Sequence, residues 1–185
     1  MVVSPGWYGK LPSLGDFASR RLPPLFVEPW DRWLATGLDA WRNADEAWLA
    51  AFLAAPTWRF ALGAGVPFAQ SPGYTGVLMP SVDRVGRYFP LTVARPRGSF
   101  ETEAPSAWLQ AVEGLAVAAL NDDWSADQFD AELAALGEVD ETGPLWPEDG
   151  RTIWWCEREG ELSSPVETTG LPDAEELMRL LGGHY

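Results

Sequence analysis

The stretch GVLMPSVDRVGRYFPLTVARP, residues 76–96, narrows the folds open to this chain more than any other. Two short runs rich in Val, Leu, Phe and Tyr (76–82 and 88–94) flank the polar connector Asp83-Arg84-Val85-Gly86-Arg87. Such runs with a glycine in the gap predict a β-hairpin closed by a five-residue turn. Neither run alternates cleanly. Val77 and Met79 would face one way and Leu78 and Val82 the other, while Phe89, Leu91 and Val93 oppose Tyr88, Thr92 and Ala94. Strands apolar on both faces are covered on both faces, which sets this hairpin near the centre of the fold. Closed symmetrically, the connector brings Pro80 opposite Pro90. Neither has an N–H, so the pair must fall at a non-hydrogen-bonded position or at a bulge.

The rest of the chain supplies covering layers. Residues 6–10 read as a short strand, followed by the turn-rich loop LPSLGDF at 11–17. Phe26, Trp30, Trp33, Leu34, Leu38 and Trp41 recur at spacings of three and four, predicting a helix over about 26–42. Pro29 is tolerable only in a first turn and moves the expected start towards Glu28. A second helix is expected over 44–55, then a strand at 57–62 with Trp58, Phe60 and Leu62 alternating, and a Gly/Pro loop at 63–73. Helices follow at 105–121, with Trp108, Val112, Leu115 and Ala119 inward, and at 125–136, where Ser125 and Gln128 form a capping-box pattern. TIWWCE at 152–157 reads as a strand that continues into 161–168, and Asp173 caps a last helix to Leu181. Strands and helices mixed in this order predict an α/β fold. The expected architecture is one domain over residues 1–185, a mixed or largely antiparallel central sheet covered by helices as a layered α/β/α sandwich. A shift in charge balance near 100–105 is the one weak candidate for an internal boundary.

The residue inventory excludes much chemistry. His184 is the sole histidine and Cys156 the sole cysteine, so the usual zinc sets and the Ser-His or Cys-His catalytic sets cannot be assembled without the chain end. Lys10 is the only lysine, and neither a phosphate loop nor a dinucleotide fingerprint occurs. No cofactor and no metal are expected. With one cysteine no internal disulfide can form. No secretory leader is visible and no apolar stretch approaches the ~20 residues of a membrane span. The chain therefore reads as cytoplasmic, without direct membrane insertion. Its net charge of −14 is uneven: residues 1–100 carry ten basic and seven acidic groups, residues 101–185 three and twenty. A nucleic acid would be repelled by the second half and finds no basic stripe in the first. Solubility accounts for the acidic half, and docking to a basic partner is the alternative. Eleven tryptophans could suggest sugar stacking, but Trp30, Trp33, Trp41, Trp48 and Trp108 fall on inward helix faces, where core packing is the simpler account.

What remains is the hairpin tip. Ser81, Asp83, Arg84 and Arg87 could form an anion site, since guanidiniums bind planar oxyanions in bidentate fashion. Alternatively, Asp83 pairs internally with an arginine and pins the turn, with Gly86 supplying a positive φ. Lys10, Ser13 and Asp16, on the loop at 10–17, join the candidate set if that loop lies beside the tip.

The blocks GWYGKLPSLGDF (6–17), WDRWL (30–34), PTWRFAL (56–62) and GVLMPSVDRVGRYFPLTVA (76–94) resemble, in order, the motifs of the TagF proteins associated with bacterial type VI secretion. TIWW (152–155) and the GLP turn at 170–172 are similar to the family's later half, whereas residues 97–150 carry no matching motif. The resemblance implies a non-enzymatic, cytoplasmic α/β accessory protein that represses type VI secretion after translation by binding an FHA-domain scaffold protein. It brings no catalytic residues. Two other readings stand beside it: a small-anion sensor or hydrolase-like enzyme centred on residues 83–87, and a structural accessory subunit of the secretion apparatus.

Overall fold

The computed structural model of the chain describes residues 4–137 and 143–182. In chain order its elements are β1 (Gly6–Gly9), β2 (Ala18–Arg20), α1 (Pro24–Ala44), α2 (Trp48–Leu53), β3 (Trp58–Leu62), β4 (Tyr74–Met79) and β5 (Leu91–Pro96). After these come α3 (Ser106–Asn121), α4 (Ala126–Ala135), β6 (Arg151–Arg158), β7 (Glu161–Leu162), β8 (Val166–Thr169) and α5 (Ala174–Gly182). The strands form one antiparallel sheet in the order β2-β1-β5-β4-β3-β6, with β7 and β8 both pairing with β6. Helices cover both faces, as an α/β/α sandwich requires.

The central hairpin keeps its expected register. Val77 faces Val93, Leu78 faces Thr92 and Met79 faces Leu91, and an isolated bridge from Val82 to Tyr88 carries the same register past the prolines. The Phe89 N–H donates to the Ser81 carbonyl (3.1 Å) and the Asp83 N–H to the Arg87 carbonyl (3.0 Å). The pair between these and the strands, Pro80 with Pro90, therefore falls at a non-hydrogen-bonded position, where a missing N–H costs nothing. The facing of the side chains changes at that point. Phe89 was expected beside Leu91 and instead joins the opposite face with Tyr88, because strand alternation does not run through Pro90.

One face of the sheet is aromatic. Trp58, Phe60, Leu62, Leu78, Ala94, Trp154 and Cys156 pack against Phe26, Trp30, Leu34, Leu38 and Trp41 of α1 and against Leu177, Leu180 and Leu181 of α5. Trp30 is fully buried and donates its indole N–H to the Thr92 hydroxyl at 2.8 Å. Truncating a buried ring of this kind to alanine costs on the order of 3–5 kcal/mol. The other face holds smaller side chains. Ala61, Val77, Met79, Leu91, Val93, Ile153 and Trp155 meet Trp108, Leu109, Val112, Ala116 and Ala119 of α3 and Phe129 and Leu133 of α4. All eleven tryptophans are buried or packed against one of these two cores.

Several element bounds differ from expectation for local reasons. Helix α1 starts at Pro24 rather than near Glu28, with Pro24 at the first position, where its absent N–H has no helical partner to miss. Pro29 then lies inside the helix; the carbonyl it leaves without a donor belongs to Leu25, which is 64% exposed and within reach of water. Helix α2 is shorter than expected, because Asp45 makes a turn first: its carboxylate accepts the Ala47 N–H at 2.8 Å. Strand β2 was not expected at all. Strand β3 is buried on both faces rather than one, since α1 and α5 cover Trp58, Phe60 and Leu62 while α3 and α4 cover the face of Ala61. The caps of α4 and α5 are as the sequence requires: Ser125 accepts the Gln128 N–H, and Asp173 and Glu176 bond each other's backbone N–H reciprocally. Because β6 enters beside β3, the acidic second half completes the same sheet as the first.

Candidate functional site

The end of β1 leads directly to the hairpin tip. Gly9 has φ +137°, and a Cβ there would lie 2.3 Å from the Pro90 carbonyl oxygen, so only glycine lets the strand end abut the connector. The next residue, Lys10, sends its ammonium to Asp83, with Nζ 2.8 Å from Oδ2. Both side chains are almost wholly inaccessible, 4% and 0% exposed. The Lys10 carbonyl accepts the Ser81 hydroxyl at 2.6 Å, and the ammonium lies 4.7 Å over the Phe17 ring.

Asp83 organises the whole turn. Its Oδ1 accepts the backbone N–H of Val85 (3.0 Å) and of Arg87 (2.9 Å), and its Oδ2 accepts Arg87 Nε (2.7 Å) besides Lys10. The Gly86 N–H returns to the Asp83 carbonyl at 3.0 Å, with Gly86 at φ +82°. Burial alone would raise the Asp83 carboxyl. The Lys10 ammonium, the backbone and guanidinium N–H of Arg87 and the Val85 N–H together outweigh it and hold the group well below the usual carboxylate range. A carboxylate with four donors has no capacity left for proton transfer. It is a structural anchor.

The loop at 10–17 lies against the tip and is bonded to it. The Arg84 N–H donates to the Leu14 carbonyl at 2.8 Å, and the Arg87 guanidinium donates to the Gly15 carbonyl. Asp16 is 3.9 Å from the Arg87 guanidinium and is 82% exposed, while its Oδ1 caps the Phe17 N–H. Ser13 points elsewhere, donating to the Trp124 carbonyl at 2.7 Å and so tying the loop to the α3–α4 connection. Lys10, Ser81, Asp83 and Arg87 thus form one cluster, with Arg84 joined through its backbone and Asp16 at the rim. The internal pin is the arrangement observed, and Arg87 is already engaged by Asp83. The open depressions beside α1, of about 460 Å³ and 350 Å³, contain neither Arg84 nor Arg87. His184 lies outside the described residues. Among the described residues no helix is long and apolar enough to cross a membrane, and no three His, Cys, Asp or Glu side chains converge as metal ligands would.

The blocks that build this site, β1 with its loop and the β4–β5 connector, fall within a stretch that matches a known family. Residues 6–136 match the model of the TagF N-terminal domain, type VI secretion system-associated. The chain belongs to the TagF family. It is therefore a type VI secretion-associated protein. The match includes residues 97–136, where no family motif was legible, and ends before β6, although β6 is as central to the sheet as β3. The whole TagF chain is also similar to a solved structure, the crystal structure of PA0076 from Pseudomonas aeruginosa PAO1. The two are 35% identical, with 97% of this chain and 94% of that one covered and a TM-score of 0.82. A comparison with curated proteins finds no match.

A second ion cluster escaped the sequence reading. Arg59, in the middle of β3 and 3% exposed, donates through Nε to Glu113 of α3 (2.9 Å) and through Nη2 to Glu157 of β6 (3.0 Å). Burial raises the Glu113 carboxyl; Arg59 opposes this and the nearby Glu157 charge adds to it. The one available signal was an arginine at an alternate position of a strand otherwise made of Trp, Phe, Ala and Leu. Tyr8 was also overlooked. Its hydroxyl donates to Asp31 of α1, and burial followed by that bond pushes its pKa up.

Proposed function

We propose that this TagF-family chain is a non-enzymatic, cytoplasmic regulator that represses type VI secretion after translation by binding an FHA-domain scaffold protein. Membership of a type VI secretion-associated family carries the reading. The site chemistry supports it. The best candidate for acid–base or anion work, Asp83 with Arg87, is spent on holding a turn. Binding a scaffold component removes it from the pool available for assembly, which is a population shift that needs no catalysis.

The test is a tagged-protein pull-down in a bacterium with an active type VI system, run beside secretion assays after deletion and overproduction. Recovery of the FHA-domain scaffold, raised secretion on deletion and lost secretion on overproduction are expected. Failure to recover the scaffold, with secretion unchanged by deletion, overturns the reading. A structural subunit would instead abolish secretion when deleted and leave it intact when overproduced.

A further inference from the structure

We infer that the tip of the β4–β5 connector is the contact surface for an acidic segment of a partner protein, with a carboxylate on Arg84 and an aliphatic side chain against Val85. This rests on the reading that the protein acts by binding another protein, and adds which residues touch that partner and what chemistry it presents.

The tip is exposed and yet held still. Val85 is 65% exposed, Phe17 43% and the Arg87 side chain 54%, while the turn beneath them is fixed by the four hydrogen bonds to buried Asp83. A loop already held in one conformation loses little entropy on binding.

The charge of the tip points to the partner. Arg21, Arg42, Arg59, Arg87, Arg95, Arg151 and Arg179 pair with carboxylates of this chain, and Arg20 and Arg97 donate to backbone carbonyls. Arg84 makes no ion pair among the described residues. Its guanidinium lies over Gly15, where an added Cβ would be 3.3 Å from Nη2. On a chain of net charge −14, the tip carries three cations (Lys10, Arg84, Arg87) against two carboxylates (Asp83, Asp16), a local excess of positive charge on a surface that also exposes Val85 and Phe17. Arginine with adjoining aromatic and aliphatic surface is the composition of binding hot spots, and a guanidinium takes a carboxylate in bidentate fashion. A phosphate dianion fits less well, since Arg87 Nε is occupied by Asp83 and the sole lysine is buried.

Photo-crosslinking in cells tests this. The full chain carries a photo-reactive residue in place of Val85, with the same residue in place of exposed Leu162 as control, each with and without Arg84→Glu. Arg84→Glu should leave the fold intact, because among the described residues only the Arg84 backbone is hydrogen-bonded, and an unfolding midpoint equal to wild type checks this. The expected result is an adduct from position 85 on a carboxylate-rich segment of another protein, reduced about tenfold by Arg84→Glu. No adduct above the Leu162 control, an adduct only with a second copy of this chain, or one that Arg84→Glu leaves undiminished would each overturn the inference. An adduct on a protein outside the secretion apparatus would overturn the proposed function and leave the contact surface standing. Conversely, recovery of the FHA-domain scaffold with no adduct at position 85 would sustain the function and discard the surface.

Discussion

Around Asp83 two cations share one carboxylate, whereas around Arg59 two carboxylates share one cation. Both clusters join segments far apart in the chain, Lys10 to Asp83 across 73 residues and Arg59 to Glu157 across 98. Their shared element is the inaccessible one: Asp83 has a side chain 0% exposed and Arg59 4%. The difference lies in what surrounds it. Asp83 also takes two backbone N–H groups and so defines a turn, while Arg59 braces strands and helix that hydrogen bonding and packing already hold together. The first cluster shapes a surface; the second closes a gap between α3 and the sheet.

The hardest way to break this contrast is Asp83→Ala. It leaves the Lys10 ammonium buried without a counter-charge and two tip N–H groups without acceptors, so its loss of stability should be the largest of the set. Urea unfolding followed by tryptophan fluorescence measures it, and a midpoint equal to wild type would show that the tip is not anchored as described. Arg59→Met should come next, towards the lower end of the ~3–5 kcal/mol typical of a broken buried pair, because Glu113 and Glu157 keep partial access to water (21% and 34% exposed). Adding Glu113→Gln and Glu157→Gln should recover much of that loss. If the triple variant is no more stable than Arg59→Met, the arginine matters for packing rather than charge.

Acid titration separates the clusters by sign. Asp83 has its folded value lowered, so its contribution is present above the unfolded value of about 4 and is lost as pH falls through the folded one. Glu113 has its folded value raised, so its contribution is present below the unfolded value of about 4.3 and is lost as pH rises through the folded one. Unfolding midpoints from pH 3 to 7 should therefore show Asp83→Asn converging on wild type below about pH 4. Glu113→Gln should gain on wild type as pH rises above about 4.3. Parallel curves for either variant would mean that its carboxyl titrates alike in the folded and unfolded chains. Gly86→Ala tests the turn itself: with open space around the new methyl, only the φ of +82° opposes it, at roughly 1–2 kcal/mol.

The two clusters also differ in how far the sequence revealed them. The tip was legible because its parts are local. Asp83, Gly86 and Arg87 lie within one turn, and Pro80 and Pro90 set the register by symmetry. That Lys10 would be the buried partner was not legible, since it depends on Gly9 bringing β1 against Pro90. Arg59 was hidden for a stronger reason: its carboxylates come from a helix and a strand 54 and 98 residues on, and no periodicity records which strands become neighbours. Strand β2 was missed likewise, because its pairing with β1 comes from the path of the loop at 10–17 rather than from any run of β-forming residues.

The smallest expected effect discriminates best between holding the tip and using it. Arg84 differs from Asp83 and Arg87 in that only its backbone N–H is bonded, to Leu14, so Arg84→Ala removes no buried contact and leaves the turn intact. Its stability should stay within about 0.5 kcal/mol of wild type, the range for surface substitutions away from special features. If instead the unfolding midpoint falls by as much as in Gly86→Ala, the guanidinium lying over Gly15 is helping to hold the loop at 10–17, and Arg84 belongs with Asp83 and Arg87 among the residues that build the tip. A silent Arg84→Ala means that this arginine does not help to build the tip, which leaves its guanidinium free for the contact inferred above.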